Sequence, residues 1–303
     1  MSPGRHLSAF TPILALLGGC SWMGPTATDT VGQLVPVGDA RSVRVEGFNG
    51  SITVVGGSDG DTREQVAVRA DRRAKGSDLA TAEANLERLE IIVREEGDRV
   101  VVTTDRPDGF RGGVDFSVVV PDGWAVDATT SNGSIRCEGV RKATAKSSNG
   151  KLTFVAIAEA IDGQTSNGRI EVETESAVST RLRTSNGSVR FRGGLQSGRN
   201  EIRTSNGSID VTVVGGPVAV AATTSNGRIR IGDREGKKEL TTAIGSGRGE
   251  GIGLQLKTSN GSVRVQTSDA SISPSGAEGP TDVEGFPRSK TTGETETKPT
   301  LRI

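Results

Sequence analysis

Apolar and polar residues alternate along most of this chain, and the alternation is organised around a recurring Asn-Gly pair. When each asparagine is taken as position zero, the residues at +3 and +5 are apolar in every clear copy, as in Ile135/Cys137 and Ile209/Val211. Before the pair, position −2 is Thr or Ser and position −4 is small or aliphatic. A period of two is typical of strands with one buried face, so each copy predicts two short strands that meet at Asn-Gly.

The copies recur at a period that predicts a repeat architecture. The asparagines of the seven clear copies are 17, 18, 19, 20, 20 and 34 residues apart, and we interpret LTTAIGSG in the long interval as a worn copy with Ile244 in place of asparagine. A period with a residue or two of slack is typical of units that bury their faces against their neighbours. The predicted corners, with one diverged copy at the front, are Asn49, Gly50, Asn132, Gly133, Asn149, Gly150, Asn167, Gly168, Asn186, Gly187, Asn206, Gly207, Asn226, Gly227, Asn260 and Gly261.

Two architectures fit this alternation. In an antiparallel hairpin meander each Asn-Gly is a hairpin turn, for which it is a strong signal. In a β-solenoid (parallel β-helix) each Asn-Gly is a corner stacked about 4.8 Å above its equivalent, with glycine taking a positive φ. The near-identity of Thr-Ser-Asn-Gly favours the solenoid, because like side chains can then form ladders along the stack. We therefore predict an all-β, single-domain solenoid with coils of ~17–20 residues, and the meander is the alternative.

The segment before the repeats has strand patterns and one helix pattern. SVRVEGFNGSITVVGG, EQVAVRA, RVVVTT and VDFSVVVP are strand-like runs. A helix is predicted from about Ser77 to Ile92, capped by Ser77 or Asp78, and we expect it to cover one end or one side of the solenoid. Its apolar residues, spaced by 3, 4, 3 and 3, are Leu79, Ala82, Leu86, Leu89 and Ile92.

The first twenty residues have the pattern of an export signal. Arg5 precedes an apolar stretch from Leu7 to Leu17, and LGGC resembles the bacterial lipobox, in which the cysteine is acylated and a peptidase cuts before it. We predict a lipoprotein signal peptide in residues 1–19, cleavage between Gly19 and Cys20, and a membrane anchor of acyl chains on Cys20. An ordinary secretory signal is the alternative. The residue after the cysteine is serine rather than aspartate, which indicates that the lipoprotein is transported to the outer membrane.

Differences in composition divide the rest of the chain into a linker, a domain and a tail. Residues 20–40 are rich in Pro, Gly and Thr and are predicted to be a linker that holds the domain away from the bilayer. The solenoid domain is predicted over residues 41–267, with N-terminal strands and the capping helix in 41–123 and the repeats in 124–267. Residues 268–303 are polar and unpatterned, and we predict a disordered tail.

Composition also excludes several kinds of chemistry. The single histidine, His6, lies in the predicted leader, so the processed chain has none for a catalytic triad or a metal site. Cys137 occupies an inward position and is predicted to be a buried, inert thiol. The net charge of +0, about −1 without Arg5, gives no reason to expect a nucleic-acid partner. We predict no catalytic, cofactor-binding or metal-binding residues.

Cations recur at two outward positions of the repeat. Stacking would align them into broken basic columns that could hold acidic sugars or lipopolysaccharide phosphates. The alternative is that they only keep the strand faces solvated and resistant to aggregation. The residues of this candidate binding face are Arg136, Arg190, Arg230 and Arg264 at +4, and Lys146, Arg183, Arg203 and Lys257 at −3.

The sequence VDFSVVVPDGWAVDATTSNGSIRCEG, followed by repeated TSNG-x-[IV]-x-[VIF], resembles the bacterial putative-adhesin family of unknown function. The resemblance spans roughly residues 41–267. It implies a β-helix of SNG-type coils after a strand that ends in Val-Pro, and it brings no catalytic residues.

We therefore predict a non-enzymatic, lipid-anchored β-solenoid of the cell envelope, an outer-membrane lipoprotein facing the periplasm or the surface. Its expected partners are the membrane, through Cys20, and an envelope polysaccharide or protein bound by an adhesin-like surface. Two alternatives stay open. One is a polysaccharide-modifying enzyme with a carboxylate-only site, and the other is a scaffold or sensor in envelope-stress signalling.

Overall fold

The structure, a computed structural model, describes residues 24–57, 65–245 and 251–268. The predicted leader with Cys20, and the predicted tail beyond Ser268, lie outside them. The described residues form an all-β structure with one short helix, so the all-β class is confirmed. The strands join in one large, mixed and nearly closed sheet. The elements are β1 Thr26–Pro36, β2 Ser42–Glu46, β3 Ile52–Gly57, β4 Gln65–Lys75, α1 Leu79–Glu87, β5 Glu90–Glu96, β6 Arg99–Asp105, β7 Gly112–Pro121, β8 Ala125–Asn132, β9 Ile135–Glu138, β10 Lys142–Asn149, β11 Leu152–Val155, β12 Ala160–Thr165, β13 Ile170–Asn186, β14 Val189–Leu195, β15 Gly198–Asn206, β16 Ile209–Val214, β17 Val218–Asn226, β18 Ile229–Ile231, β19 Arg234–Gly236, β20 Glu239–Ile244, β21 Ile252–Asn260 and β22 Val263–Ser268.

In the repeats, the two strands that flank an Asn-Gly corner pair with different partners. The upstream strands, which precede the corners, pair in parallel in the order β8, β10, β12, the end of β13, β15, β21 and β17. The downstream strands, which follow the corners, pair in parallel in the order β9, β11, the start of β13, β14, β16, β22 and β18. A hairpin meander would instead pair the two strands of one repeat in antiparallel fashion, and no such pairing crosses a corner in the described residues.

The stacking order departs from the chain order at one place. The last repeat in the chain, which contains Asn260, lies between the repeats of Asn206 and Asn226, because β21 pairs with both β15 and β17. The interpretation of LTTAIGSG as a worn repeat is therefore wrong. That segment contributes β20, which pairs antiparallel with β17. With Ile244 where the corner asparagine would be, it cannot extend the asparagine column, and it covers the outer edge of β17 instead.

The core lies between the upstream and downstream faces. The residues at −4, −2, +3 and +5 are buried in every clear repeat, including Gly163 at −4. Gly163 leaves space for the ring of Phe154, because a Cβ there would meet that ring at 2.9 Å. Cys137 is fully buried, as predicted, and burial raises the pKa of its thiol to about 12. It is therefore a core residue and not a nucleophile.

The N-terminal segment extends the stack and then covers it. β2 pairs in parallel with β8 and β3 with β9, so the diverged copy at Asn49 lies next to Asn132. β4 runs antiparallel to β7, and β1 runs antiparallel to β4 along its whole length. The prediction of a linker over residues 20–40 is therefore wrong from Thr26 onward. Ala27 and Val31 are buried, so this segment has an inward face that its Thr- and Gly-rich composition concealed.

Helix α1 is shorter than predicted and packs against the side of β1 and β4. Asp78 caps it by accepting a hydrogen bond from the Thr81 backbone N–H at 2.7 Å. It ends at Glu87, because the residues from Glu90 onward pair as β5 with β6 around a turn at Gly97. Runs of Ile and Val favour strands, and here they outweigh the helical spacing that extended the prediction to Ile92. None of the helical segments in the described residues is long and apolar enough to cross a membrane.

Candidate functional site

The eight corner asparagines form one continuous column. Each side-chain amide donates from Nδ2 to the Oδ1 of the next asparagine at 2.7 to 2.9 Å. The order is Asn226, Asn260, Asn206, Asn186, Asn167, Asn149, Asn132 and Asn49. Sequence order alone would have placed Asn260 last. Such chains of amides polarise one another, so the column behaves as a unit rather than as separate surface residues.

The residues beside each asparagine explain why the corner sequence is repeated. The buried hydroxyl at −2 donates to the glycine carbonyl of the adjacent repeat, as from Thr204 to Gly187 at 2.8 Å. A Cβ on any corner glycine of the seven clear copies would lie 1.8 to 2.1 Å from the neighbouring glycine carbonyl. Positive φ is not the general reason for glycine, since Gly50 alone of the eight predicted corner glycines has it. Close approach of the stacked backbones requires glycine at the other seven.

The hydrogen bonds of the asparagine column all point the same way, and the partner of Asn49 shows which way. Asn49 donates from Nδ2 to the carbonyl of Gly112 at 3.3 Å, and a carbonyl can only accept. Every amide in the column therefore turns its N–H group toward the Asn49 end and its oxygen toward the Asn226 end. Aligned amide dipoles add, as they do in a helix, so the Asn49 end carries the partial positive charge.

The cations predicted at +4 do not form a purely basic column. Along the downstream face the order is Arg136, Thr153, Glu171, Arg190, Asp210, Arg264, Arg230 and Glu235. Arg136 pairs with Glu138 at 2.7 Å, and Arg230 pairs with Glu235. Insertion of the last repeat makes Arg264 and Arg230 direct neighbours. The structure thus brings these two together, about 4.8 Å apart from strand to strand, and keeps Arg136 apart from them.

The cations predicted at −3 lie on the upstream face. Arg183, Arg203 and Lys257 occupy three consecutive strands, while Gln164 separates Lys146 from them. Arg183 and Arg203 both pair with Glu201. Burial opposes ionisation of Glu201, but the bond from Arg183 and the charges of the nearby arginines outweigh it and lower the pKa of that carboxyl. Much of the positive charge on this face is therefore compensated.

A hollow on the downstream face unites two of the predicted arginines with residues that the sequence analysis did not single out. We call it the serine-arginine groove; its volume is 560 Å³. It crosses the last three stacked repeats, and Ser208 and Ser262 lie at +2 beside the arginines. The repeat pattern predicts that the residues at +2 stack on one another, but which of them are neighbours depends on where the last repeat is inserted. The lining residues are Ser208, Ile209, Asp210, Arg228, Arg230, Ser262, Val263 and Arg264.

A second hollow, which we call the end pocket, lies at the Asn49 end of the column. It has a volume of 1010 Å³ and is formed between the end of β4, helix α1 and the segment before β7. The sequence analysis missed it because its residues are brought together by β1 and β4, and no repeat marks them. Its lining residues are Gly24, Asn49, Arg73, Lys75, Gly76, Ser77, Thr81, Asn85, Arg88, Pro107, Asp108, Gly109, Phe110, Arg111 and Gly112.

Three carboxylates on the strand faces, Glu171, Glu201 and Glu235, are engaged in ion pairs. Glu171 accepts from Lys151 at 2.6 Å and from Arg169 at 3.4 Å. Its burial opposes ionisation, but these two cations outweigh the burial and hold its pKa below the usual range. Glu235 also has a lowered pKa, because Arg230 donates to it. Among the described residues, no three His, Cys, Asp or Glu side chains are grouped as metal ligands.

No protein-family model and no curated protein matches the chain. Solved structures similar to it include a putative cell adhesion protein from Clostridium sporogenes ATCC 15579, with a TM-score of 0.34, 8% identity, and coverage of 79% of this chain and 100% of that chain. A putative adhesin from Bacteroides fragilis NCTC 9343 gives a TM-score of 0.38, 10% identity, and coverage of 79% and 97%. One from Parabacteroides distasonis ATCC 8503 gives a TM-score of 0.25, 10% identity, and coverage of 79% and 97%. These likenesses are too distant to carry an argument about function.

Proposed function

We propose that the chain is a non-enzymatic, lipid-anchored protein of the bacterial cell envelope, built as a β-solenoid, which binds acidic polysaccharide in the serine-arginine groove. The groove is the observation that carries this proposal. The solenoid part is supported by the parallel, in-register pairing of successive repeats and by the asparagine column. The SNG-type repeats and the lipobox-like LGGC that precedes Ser21 support an adhesin-like protein held on a membrane.

The chemistry of the groove suits an acidic sugar polymer. Arg264 and Arg230 lie on adjacent strands and are both exposed, and Arg264 has no ion-pair partner among the described residues. Guanidinium groups bind carboxylates through two parallel hydrogen bonds. The exposed Ser208 and Ser262 hydroxyls can both donate to and accept from sugar hydroxyls. A polymer lying across the strands would meet Ser208 on the first of the three repeats, Ser262 and Arg264 on the second, and Arg228 and Arg230 on the third.

The state of the carboxylates supports binding rather than catalysis. Hydrolysis of a glycosidic bond needs a carboxyl group that is protonated when it meets the leaving oxygen, and such groups have raised pKa values. The arginine and lysine partners of Glu171, Glu201 and Glu235 have the opposite effect. Within the groove itself, Asp210 is the one carboxylate, and glycosidases act with two.

The test compares binding of the full chain to polygalacturonate and to neutral dextran. The double variant Arg230→Gln/Arg264→Gln should lose at least about tenfold in affinity for polygalacturonate, because two charge-assisted bonds are removed. Arg136→Gln is the matched control, since Arg136 occupies the same repeat position outside the groove. Equal binding to dextran would contradict the charge-based proposal, and new reducing ends in the polygalacturonate would show an enzyme.

The anchor is tested separately by cell fractionation. Cys20→Ser removes the sulfur that would carry the acyl chain, and it should move the protein from the membrane fraction to the soluble fraction. A variant that stays in the membrane fraction after a high-salt wash would contradict the lipid anchor, and it would leave the groove experiment unaffected.

A further inference from the structure

We propose that the end pocket binds the phosphate of an anionic glycerophospholipid headgroup, so that the domain docks on its membrane through the Asn49 end of the column. This inference deepens the proposed function and rests on it in one respect: the anchor at Cys20 is what brings the pocket to the bilayer. The pocket chemistry itself is independent of the anchor, and it can be tested without acyl chains.

Covalent geometry places the pocket close to the anchor. Gly24 lines the pocket and lies four residues after Cys20. A fully extended chain spans at most about 3.6 Å per residue, so the Cα atoms of these two residues are within about 14 Å of each other. Because β1 already begins at Thr26, no long spacer can move the domain away. A chain anchored at Cys20 therefore has the mouth of this pocket within reach of headgroup phosphates.

The charges that line the pocket favour an anion. Among the described residues, four cations line it, namely Arg73, Lys75, Arg88 and Arg111, against one carboxylate, Asp108. Arg73 is held in place by Asp115 and by the carbonyl of Asn49 at 3.3 Å. The side chains of Arg88 and Arg111 are exposed and have no ion-pair partner among the described residues. A phosphate, with oxygens that accept several charge-assisted bonds, matches these separate donors better than a single carboxylate does.

The asparagine column adds to the positive electrostatic potential of the end pocket. Asn49 lines the pocket, and it is the donor end of eight aligned amides. The positive end of that dipole therefore lies at the pocket, and its negative end lies at Asn226, on the other side of the molecule. An anionic surface is favoured at the Asn49 end and disfavoured at the Asn226 end, which gives the docked domain one orientation.

Aromatic packing beside the pocket holds one of its lining segments in place. Phe110 lines the pocket and packs edge-on against Phe48, with ring centroids 5.9 Å apart. The guanidinium of Arg106 lies 4.3 Å from the centre of the Phe48 ring. This cluster fixes the segment that carries Arg111, so that cation is presented by a packed segment and not by a free loop.

The experiment uses the full chain with Cys20→Ser, which carries no acyl group, and measures its co-sedimentation with vesicles. The vesicles are phosphatidylcholine alone or phosphatidylcholine with phosphatidylglycerol as the minor lipid. We expect salt-sensitive binding only to the vesicles with phosphatidylglycerol. Arg88→Gln/Arg111→Gln should weaken it about 30-fold, since each cation near an anionic membrane contributes about a fivefold effect. Both residues are exposed, so this variant should fold.

The control is Arg136→Gln/Arg181→Gln, which removes the same charge from exposed positions that do not line the pocket, one in the Asn132 repeat and one in the Asn186 repeat. If both double variants lost the same amount of vesicle binding, the proposal would be overturned, because binding would then depend on net charge and not on the pocket. Binding to phosphatidylcholine alone, or no binding to either kind of vesicle, would also overturn it. The last measurement adds inorganic phosphate as a competitor. If phosphate bound tightly and prevented binding to the vesicles, the pocket would be a site for free phosphate instead of a lipid headgroup.

Discussion

The middle repeats and the two ends of the column follow different pairing rules. In the middle, every strand has a parallel partner on each side, and identical side chains face one another at the corner. At the ends the pairing becomes antiparallel, through β4 on β7 at one end and through β20 on β17 at the other. A parallel stack has no natural last strand, so unlike segments must satisfy its outermost N–H and C=O groups.

The two ends also differ from each other. The Asn49 end is covered by β1, β4 and α1, which share a small core of Ala27, Ala74, Ala82 and Leu86. Among the described residues, the Asn226 end is covered by the short antiparallel strands β19 and β20, and in β20 exposed residues alternate with half-buried ones. Strands β1 and β4 and helix α1 together enclose the end pocket at the first end, whereas the short strands β19 and β20 pair along the edges of β18 and β17 at the second. This difference places the proposed membrane contact at the first end.

The largest expected effect comes from a methyl group at a middle corner. A Cβ at position 187 would meet the Gly168 carbonyl at 1.9 Å, so Gly187→Ala must push two repeats apart. We expect a loss of at least about 3 kcal/mol in the free energy of unfolding. Gly216→Ala, near the Asn226 end, is the matched control, since no atom lies within 4 Å of its added Cβ. Denaturant unfolding measures both, and equal stability of the two variants would refute the close-approach explanation.

A smaller effect tests the inserted repeat. Asn260 donates to Asn206 at 2.8 Å, so Asn206 and Asn226 are not neighbours although they are adjacent copies in the chain. In double-mutant cycles with alanine, Asn206 and Asn260 should couple by about 0.5–1 kcal/mol. The same cycle for Asn206 and Asn226, which share no direct hydrogen bond, should give a smaller coupling. The reverse result, with Asn206 coupled to Asn226, would show that the repeats stack in chain order.

These cases also show what sequence could and could not predict. The inward positions and the corners follow from local chemistry, because the alternation and the Asn-Gly pair are present in each copy. The place of the last repeat does not, since one Thr-Ser-Asn-Gly corner fits beside any other and nothing in Asn260 selects its neighbours. The end pocket was equally inaccessible to sequence reasoning. Arg73 lies on β4, Arg88 directly follows α1 and Arg111 directly precedes β7, and β1, which packs against both β4 and α1, looks like a linker in composition.

The smallest expected effect distinguishes the two ends by pH. Burial opposes ionisation of Asp115, but hydrogen bonds from Ser51 and the pairing with Arg73 outweigh it and hold the pKa of its carboxyl below the usual range. A lowered folded pKa means that the stabilisation is complete above the unfolded value and is lost as the pH falls through the folded value. Because the side chain is 37% exposed, we expect less than about 1 kcal/mol.

Asp115→Asn should therefore reduce the loss of unfolding free energy between neutral pH and acid pH below the ordinary pKa of aspartate. Glu235→Gln is the counterpart at the Asn226 end, where the carboxyl is exposed and bound only by Arg230 among the described residues. Solvent screens that pair, so the pH dependence of this variant should stay close to that of the unmodified chain. Unfolding curves measured at several pH values give both results. If Glu235→Gln flattened the pH dependence more than Asp115→Asn, the better-packed end would not be the Asn49 end.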